Sequence, residues 1–167
     1  MDVRTRRSIA RKLAPRLLAA PLPGCSGHGE GDVPVPKPMA MTHLVRPDTP
    51  NTALGAHAGF TPSPNSVTRR YDVTPGALCA TIRRVAATAP RTFPQVAYDR
   101  RMQADSAARN RIFDFPDLIT VQVNPDSPLI LWSRGVHGHC DFGVNKARLS
   151  AWLAAPGSAL AHSAAGG

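Results

Sequence analysis

The chain has 167 residues, of which 43% are hydrophobic and 19% charged, a composition typical of one globular domain with room for a tail. Its net charge is +9, and residues 1–20 supply six basic side chains against one acidic one. The other basic residues form pairs without interleaved aromatic platforms, which argues against nucleic acid as a partner. No apolar run approaches the roughly 18–20 residues of a membrane-spanning helix.

Residues 1–41 are predicted to be a basic leader followed by a Pro-rich disordered segment. Thr5–Arg11 resembles a twin-arginine export signal, and Leu22–Cys25 resembles a lipoprotein cleavage box in which Cys25 would be lipidated and anchor the protein to a membrane. A leader without an export role and an organellar transit peptide are open alternatives. Export would place the protein at the cell envelope or on the periplasmic side, and its absence would leave the protein in the cytoplasm.

Residues 42–70 regain some apolar positions and are predicted to form an extended arm. The folded domain is expected at 71–155. Its first helix begins at Thr74 as N-cap with Pro75 in the first helical position, and Pro90 ends it. The apolar face of this helix repeats at helical spacing through Leu78, Ile82, Val85 and Ala86.

Strand patterns follow the first helix. Gln95–Tyr98 and the end of Met102–Phe113 predict two short strands, and Phe115–Asp117 predicts a turn. Leu118–Val123 alternates with a period of two, and a turn at Asn124–Ser127 joins it to an antiparallel partner, the strand at 129–134.

A second helix closes the domain. Asn145 is expected to be its N-cap, Leu149, Trp152 and Leu153 its apolar face, and Pro156 its end, so that 156–167 is a flexible tail. The predicted fold class is therefore α+β. We expect a two-layer domain in the order helix, three or four antiparallel strands, helix, with both helices on one face of the sheet.

The connection between the last strand and the last helix carries the most specific pattern in the chain. Trp132-Ser133-Arg134 leads through a Gly-containing stretch to Asp141-Phe142-Gly143-Val144-Asn145 and a helix. This pattern resembles the domain-of-unknown-function family DUF1499, and the likeness extends over about residues 42–155. Phe115–Asp117 and Pro50–Leu54 also look similar to the family. The resemblance implies the architecture and a mainly bacterial origin, and no activity.

The 133–145 loop has two interpretations from its residues. As a structural latch, Arg134 would pair with Asp141 across the base of the loop, and Asp141 would accept hydrogen bonds from backbone N–H groups around Gly143. In the second interpretation the loop is a polar-ligand or anion site. Ser133, Arg134 and the helix start at Asn145 would then supply hydrogen-bond donors. The residues concerned are Ser133, Arg134, Gly138, Asp141, Gly143 and Asn145.

A metal site is an alternative for the same loop, because His137, His139 and Cys140 are good ligands for zinc or a similar ion. The sequence shows no catalytic motif and indicates no cofactor. The expected function is therefore a non-enzymatic accessory or small-ligand-binding domain. The alternative is a small metal- or anion-dependent enzyme that uses the 133–145 loop.

Overall fold

A computed structural model describes Val33 and residues 35–111, 114–125 and 127–164, with only the backbone at 127–128 and 157–164. The proposed export signal and the lipidation of Cys25 lie outside these described residues. Within the described part of the chain, no helix is both long and apolar enough to cross a membrane.

The described residues form an α+β fold with two helices and one six-stranded sheet. Two short 3-10 helices, Met41–His43 and Asp99–Arg101, accompany them. The elements in chain order are β1 (Thr52–Ala56), β2 (Ser66–Val67), α1 (Pro75–Thr88), β3 (Thr92–Tyr98), β4 (Gln103–Arg109), β5 (Pro116–Asn124), β6 (Ser127–Gly135) and α2 (Val144–Ala164).

The sheet is mixed, with strand order β2-β1-β6-β5-β4-β3. β1 pairs parallel with β2, and all the other neighbours pair antiparallel. The expected count of three or four strands was too low because β1 and β2 come from the segment assigned to an arm. The five residues of β1 are all buried, so this strand lacks the alternation that identifies a half-exposed strand in a sequence.

Helix α1 begins and packs as its sequence predicts. The Thr74 hydroxyl accepts a hydrogen bond from Ala77 N at 3.2 Å, and Pro75 occupies the first turn. Leu78, Ile82 and Ala86 are buried on one face. Such a cap contributes about 1 kcal/mol, so the helix start is fixed by local chemistry before tertiary packing adds to it.

Helix α2 runs past its expected end. It continues through Pro156 to Ala164, whereas the sequence pattern predicted an end at Pro156. A proline inside a helix removes one backbone donor, and the helix-forming residues Ala159, Leu160 and Ala161 beyond it favour continued helix. Leu149 and Trp152 are buried as expected.

Two strand boundaries also differ from the prediction. β5 begins at Pro116 in place of the expected turn, and Pro116 is tolerated there because the first residue of a strand need not donate to the ladder. β4 ends at Arg109, short of the expected Arg111–Phe113, of which 112 and 113 lie outside the described residues. The β5–β6 hairpin turns at Asn124–Ser127 as predicted.

The helix-side face of the sheet carries the larger core. Alternate residues of β5 and β6 pack in one cluster with side chains of both helices. Gly55 of β1 allows α2 to come close, since a Cβ there would lie 3.0 Å from Leu149 Cδ1 and 3.1 Å from Leu153 Cδ1. The strand residues that define this face are Ala53, Ala108, Ile119, Val121, Val123, Leu129 and Leu131.

The opposite, arm-side face is covered by residues that precede β1 and follow it. Met41, Leu44 and Phe60 form a second cluster with sheet residues. The Gln103 side-chain amide donates to Met39 O at 2.8 Å and accepts from Met39 N at 3.0 Å, so it binds the arm as a strand neighbour would. The sheet residues of this cluster are Leu54, Ala56, Ile130 and Trp132.

Candidate functional site

A buried polar cluster joins β5, β6 and the first turn of α2. Ser133 donates to Asn145 Oδ1, and Arg148 Nη1 donates to Ser133 Oγ at 3.0 Å and to Asn145 Oδ1 at 2.8 Å. Arg148 Nη2 donates to Asp117 Oδ2 at 2.8 Å. We call Asp117, Ser133, Asn145 and Arg148 the corner cluster. Its members bind one another at the point where the last strand meets the last helix.

Regular secondary structure brings these four side chains together. Ser133 continues the helix-side alternation of Leu129 and Leu131, and Asp117 precedes Ile119 on the same side of β5. In α2, Asn145 and Arg148 are three residues apart and therefore project from one side of the helix.

The electrostatics of the corner cluster follow from its burial. Asp117 and Arg148 form an ion pair whose side chains are only 5% and 11% exposed. Burial raises the pKa of the Asp117 carboxyl above its ordinary value, while the charge and the hydrogen bond of Arg148 act in the opposite direction. A buried pair of this kind keeps β5 and α2 in a fixed arrangement, because either partner left alone would be an uncompensated charge.

The 136–143 loop is closed by Asp141. Its carboxylate accepts from Gly143 N at 2.9 Å and from Asn145 N at 2.7 Å, which satisfies donors at the start of α2. Asn145 is therefore not the cap that the sequence predicted. It lies inside the first turn, with its side chain fully buried in the corner cluster. Phe142 and Gly143 have φ of 53° and 81°, and the two hydrogen bonds to Asp141 offset the strain at Phe142.

Asn51 connects this loop to β1, the strand that pairs with β6. Its carbonyl oxygen accepts from Asn145 Nδ2 at 3.0 Å and from Gly135 N at 2.9 Å. Its side-chain amide donates to Gly138 O at 2.7 Å. The residue before β1 thus forms hydrogen bonds with Gly135 before the loop, Gly138 within it and Asn145 after it, and these three contacts fix the loop.

Arg134 departs from its expected partner. The prediction paired it with Asp141, but alternation along β6 places Arg134 on the arm-side face, away from Ser133. There its guanidinium lies 4.3 Å from the centroid of the Trp132 ring, and Nη1 donates to Thr120 Oγ1 at 3.2 Å. Burial lowers the pKa of Arg134, and the nearby charge of Asp105 acts in the opposite direction.

Asp105 belongs to the same arm-side group and is 3% exposed. Its Oδ1 accepts from Thr120 Oγ1 at 2.6 Å, while its buried Oδ2 has no hydrogen-bond partner within the described residues. Burial raises the pKa of Asp105, and the Thr120 hydrogen bond and the charge of Arg134 act in the opposite direction.

A titration test follows from the raised pKa of Asp105. The folded state favours the protonated acid, so the stability it contributes is present below the unfolded pKa of about 4 and is lost as pH rises through the folded pKa. We expect Asp105→Asn, which keeps an acceptor for Thr120, to gain stability relative to the native chain as pH rises. Urea unfolding of both proteins from about pH 4 to pH 8 measures this difference. A difference that stays constant or reverses sign contradicts the assignment.

The proposed metal ligands lie on the surface. His137, His139 and Cys140 are exposed, and the ring of His137 packs edge-on against Phe115 with centroids 6.1 Å apart. Among the residues that the structure describes, no three His, Cys, Asp or Glu side chains group in a way that could hold a metal ion. The metal hypothesis stays a prediction.

A second feature lies between α1 and the edge of the sheet. A cleft of about 420 Å³ opens between the helix and strands β3 and β4. The β3–β4 register shifts between Pro94 and Val96, which places Gln95 at a bulge in one wall. The Gln95 amide oxygen is buried and has no hydrogen-bond partner within the described residues. Apolar lining comes from Ile82, Ala86, Ala87, Val96, Ala104 and Val121.

Of the sequence-predicted residues, the structure brings Ser133 and Asn145 into contact and places Asp141 at the helix start. Gly138 contributes its carbonyl oxygen, and Arg134 lies on the other face. Sequence reasoning missed Arg148, whose position three residues after Asn145 on a helix was a usable signal. It also assigned no role to Asp117 or Asn51, which lie within segments that carried the family resemblance.

The fold and the corner cluster define a small α+β domain organised around a strand-to-helix corner. A family model described as "Protein of unknown function (DUF1499)" matches residues 44–155. The chain belongs to this family. No curated protein and no solved structure matches the chain.

Proposed function

We propose that this domain is a non-enzymatic, small-ligand-binding module whose site is the cleft between α1, β3 and β4. The observation that carries the proposal is the cleft itself. Its volume of about 420 Å³ falls within the range of known small-molecule sites, and its walls are mainly apolar with few polar groups. A ligand with an apolar body fits this lining.

The walls of the cleft come from parts of the chain that the core holds in place. Ile82 and Ala86 also belong to the buried helix-side core, so the helix wall is anchored by packing. Gln95 supports the proposal because its buried amide oxygen, unpartnered within the described residues, would accept a hydrogen bond from a ligand.

The corner cluster supports a scaffold role over an enzymatic one. Ser133 is fully buried and is bonded to Asn145 and Arg148, while Asp117 is paired with Arg148. A nucleophile or an anion site needs side chains that can reach a ligand. Here the polar groups satisfy one another, so the corner serves to fix the sheet against α2.

A cleft-filling substitution tests the proposal. Ala87 is exposed and lines the cleft, so Ala87→Trp should fill it without disturbing the core. We expect the native protein to bind N-phenylnaphthylamine, a neutral apolar dye, with a rise in fluorescence. Ala87→Trp should weaken binding at least about tenfold, which corresponds to about 1.4 kcal/mol.

The matched control is Ala80→Trp, an exposed position of the same helix that does not line the cleft. This variant should bind the dye as the native protein does. Failure of the native protein to bind the dye would refute a binding role for the cleft. Equal binding by Ala87→Trp and the native protein would also refute it.

A further inference from the structure

The charges at the cleft point to a narrower class of ligand. We propose that the ligand is a small amphipathic acid whose apolar body occupies the cleft and whose carboxylate binds Arg84. This inference rests on the proposed binding function and adds the chemistry of the polar end.

The charged side chains that face the cleft are predominantly positive. Arg83 and Arg84 both line it. Asp105 contributes to one wall, but its carboxylate accepts from Thr120 on the arm-side face, on the other side of the sheet. The cleft therefore presents positive charge with no carboxylate directed into it, and this favours an anionic group on the ligand.

The two arginines differ in their partners. Arg83 Nη1 binds Asp99 Oδ1 at 3.0 Å, so part of its charge is compensated. The exposed guanidinium of Arg84 makes no hydrogen bond or ion pair within the described residues. Guanidinium matches carboxylate geometry with two parallel hydrogen bonds, which makes Arg84 the group suited to a ligand acid.

The interior of the cleft decides which end of the ligand enters. Its lining is mainly apolar, and an unpaired carboxylate placed there would lose hydration without compensation. An alkyl or aryl body needs no hydrogen-bond partner there, and its transfer from water to the apolar lining is favourable.

Displacement of the neutral dye by decanoate and by decanol tests the inference, because the two molecules share an alkyl chain and differ in charge. We expect decanoate to displace the dye from the native protein at an at least tenfold lower concentration than decanol. Arg84→Gln should remove this preference while dye binding and displacement by decanol persist. Arg70→Gln, at an exposed arginine that does not line the cleft, should keep it.

Each outcome bears on a distinct claim. Equal displacement by decanoate and decanol overturns the acid inference and leaves an apolar binding cleft. A preference for decanoate that persists in Arg84→Gln overturns the role of Arg84. Absence of dye binding by the native protein refutes the proposed function itself, and the acid inference falls with it.

Discussion

Asp117→Ala is expected to lower the free energy of unfolding by about 3–5 kcal/mol, the largest effect of any substitution considered for this domain. The change leaves Arg148, whose side chain is only 11% exposed in the native protein, without its counter-charge. Charges buried without a partner cost several kcal/mol, because the protein cannot replace the lost hydration. Urea unfolding at neutral pH measures the effect.

A double variant separates the effect of losing one charge of the ion pair from the effect of losing side-chain volume. Arg148→Met alone leaves Asp117 buried and unpaired, so this variant should recover part of its stability at acidic pH, where the carboxyl is neutral. Asp117→Ala/Arg148→Met removes both charges and should be more stable than either single variant. Asp72→Ala, at an exposed acid, is the control and should change stability by less than about 0.5 kcal/mol. If Asp117→Ala is as mild as this control, the corner is not held by the ion pair.

Asn145→Ala is expected to have the second largest effect, a loss of about 2–4 kcal/mol. The fully buried amide accepts from Ser133 and Arg148 and donates to Asn51 O at 3.0 Å. Its removal leaves a buried hydroxyl and a buried guanidinium each short of an acceptor, at a cost of about 1–3 kcal/mol for each group.

Thermal and urea unfolding of Asn145→Ala measure this loss, with Lys146→Ala as a control at the exposed neighbouring position. The control should unfold within about 0.5 kcal/mol of the native chain. An Asn145→Ala variant of unchanged stability would mean that the three contacts of this amide do not hold α2 to β1 and β6.

The parts of the fold that were predictable are those where local chemistry decides the outcome. Thr74 and Pro75 fix the start of α1 through a hydrogen bond and a constrained backbone, both readable from residue type. The β5–β6 hairpin was equally readable, because alternate apolar residues and a Pro-containing turn set its register.

The strands that escaped prediction are those whose sequence lacks a local signature. β1 is a buried run of small and apolar residues, and β2 has only two residues. β1 pairs with β6, far along the chain, and β2 in turn pairs with β1, so no short window of sequence reveals either strand. The continuation of α2 beyond Pro156 likewise reverses a local rule that would end a helix there.

The candidate sites likewise divide into residues with a local sequence signature and features that depend on tertiary packing. Ser133, Asp141 and Asn145 were identified because they lie in one short motif. The predicted pairing of Arg134 with Asp141 is wrong because side chains alternate along β6. Leu131 and Ser133 lie on the helix-side face, so Arg134 lies on the arm-side face. The cleft could not be predicted, since its walls depend on how α1 packs beside the bulge in β3.

The most direct test of the account is a decanoate titration of the ¹⁵N-labelled full chain, followed by amide chemical shifts. We expect concentration-dependent shifts at the cleft, including Ala87, Val96 and Ala104, with the amides of 137–145 unchanged. Shifts that concentrate at 137–145 and leave the cleft unchanged would contradict it, since the strand-to-helix corner would then be the binding site.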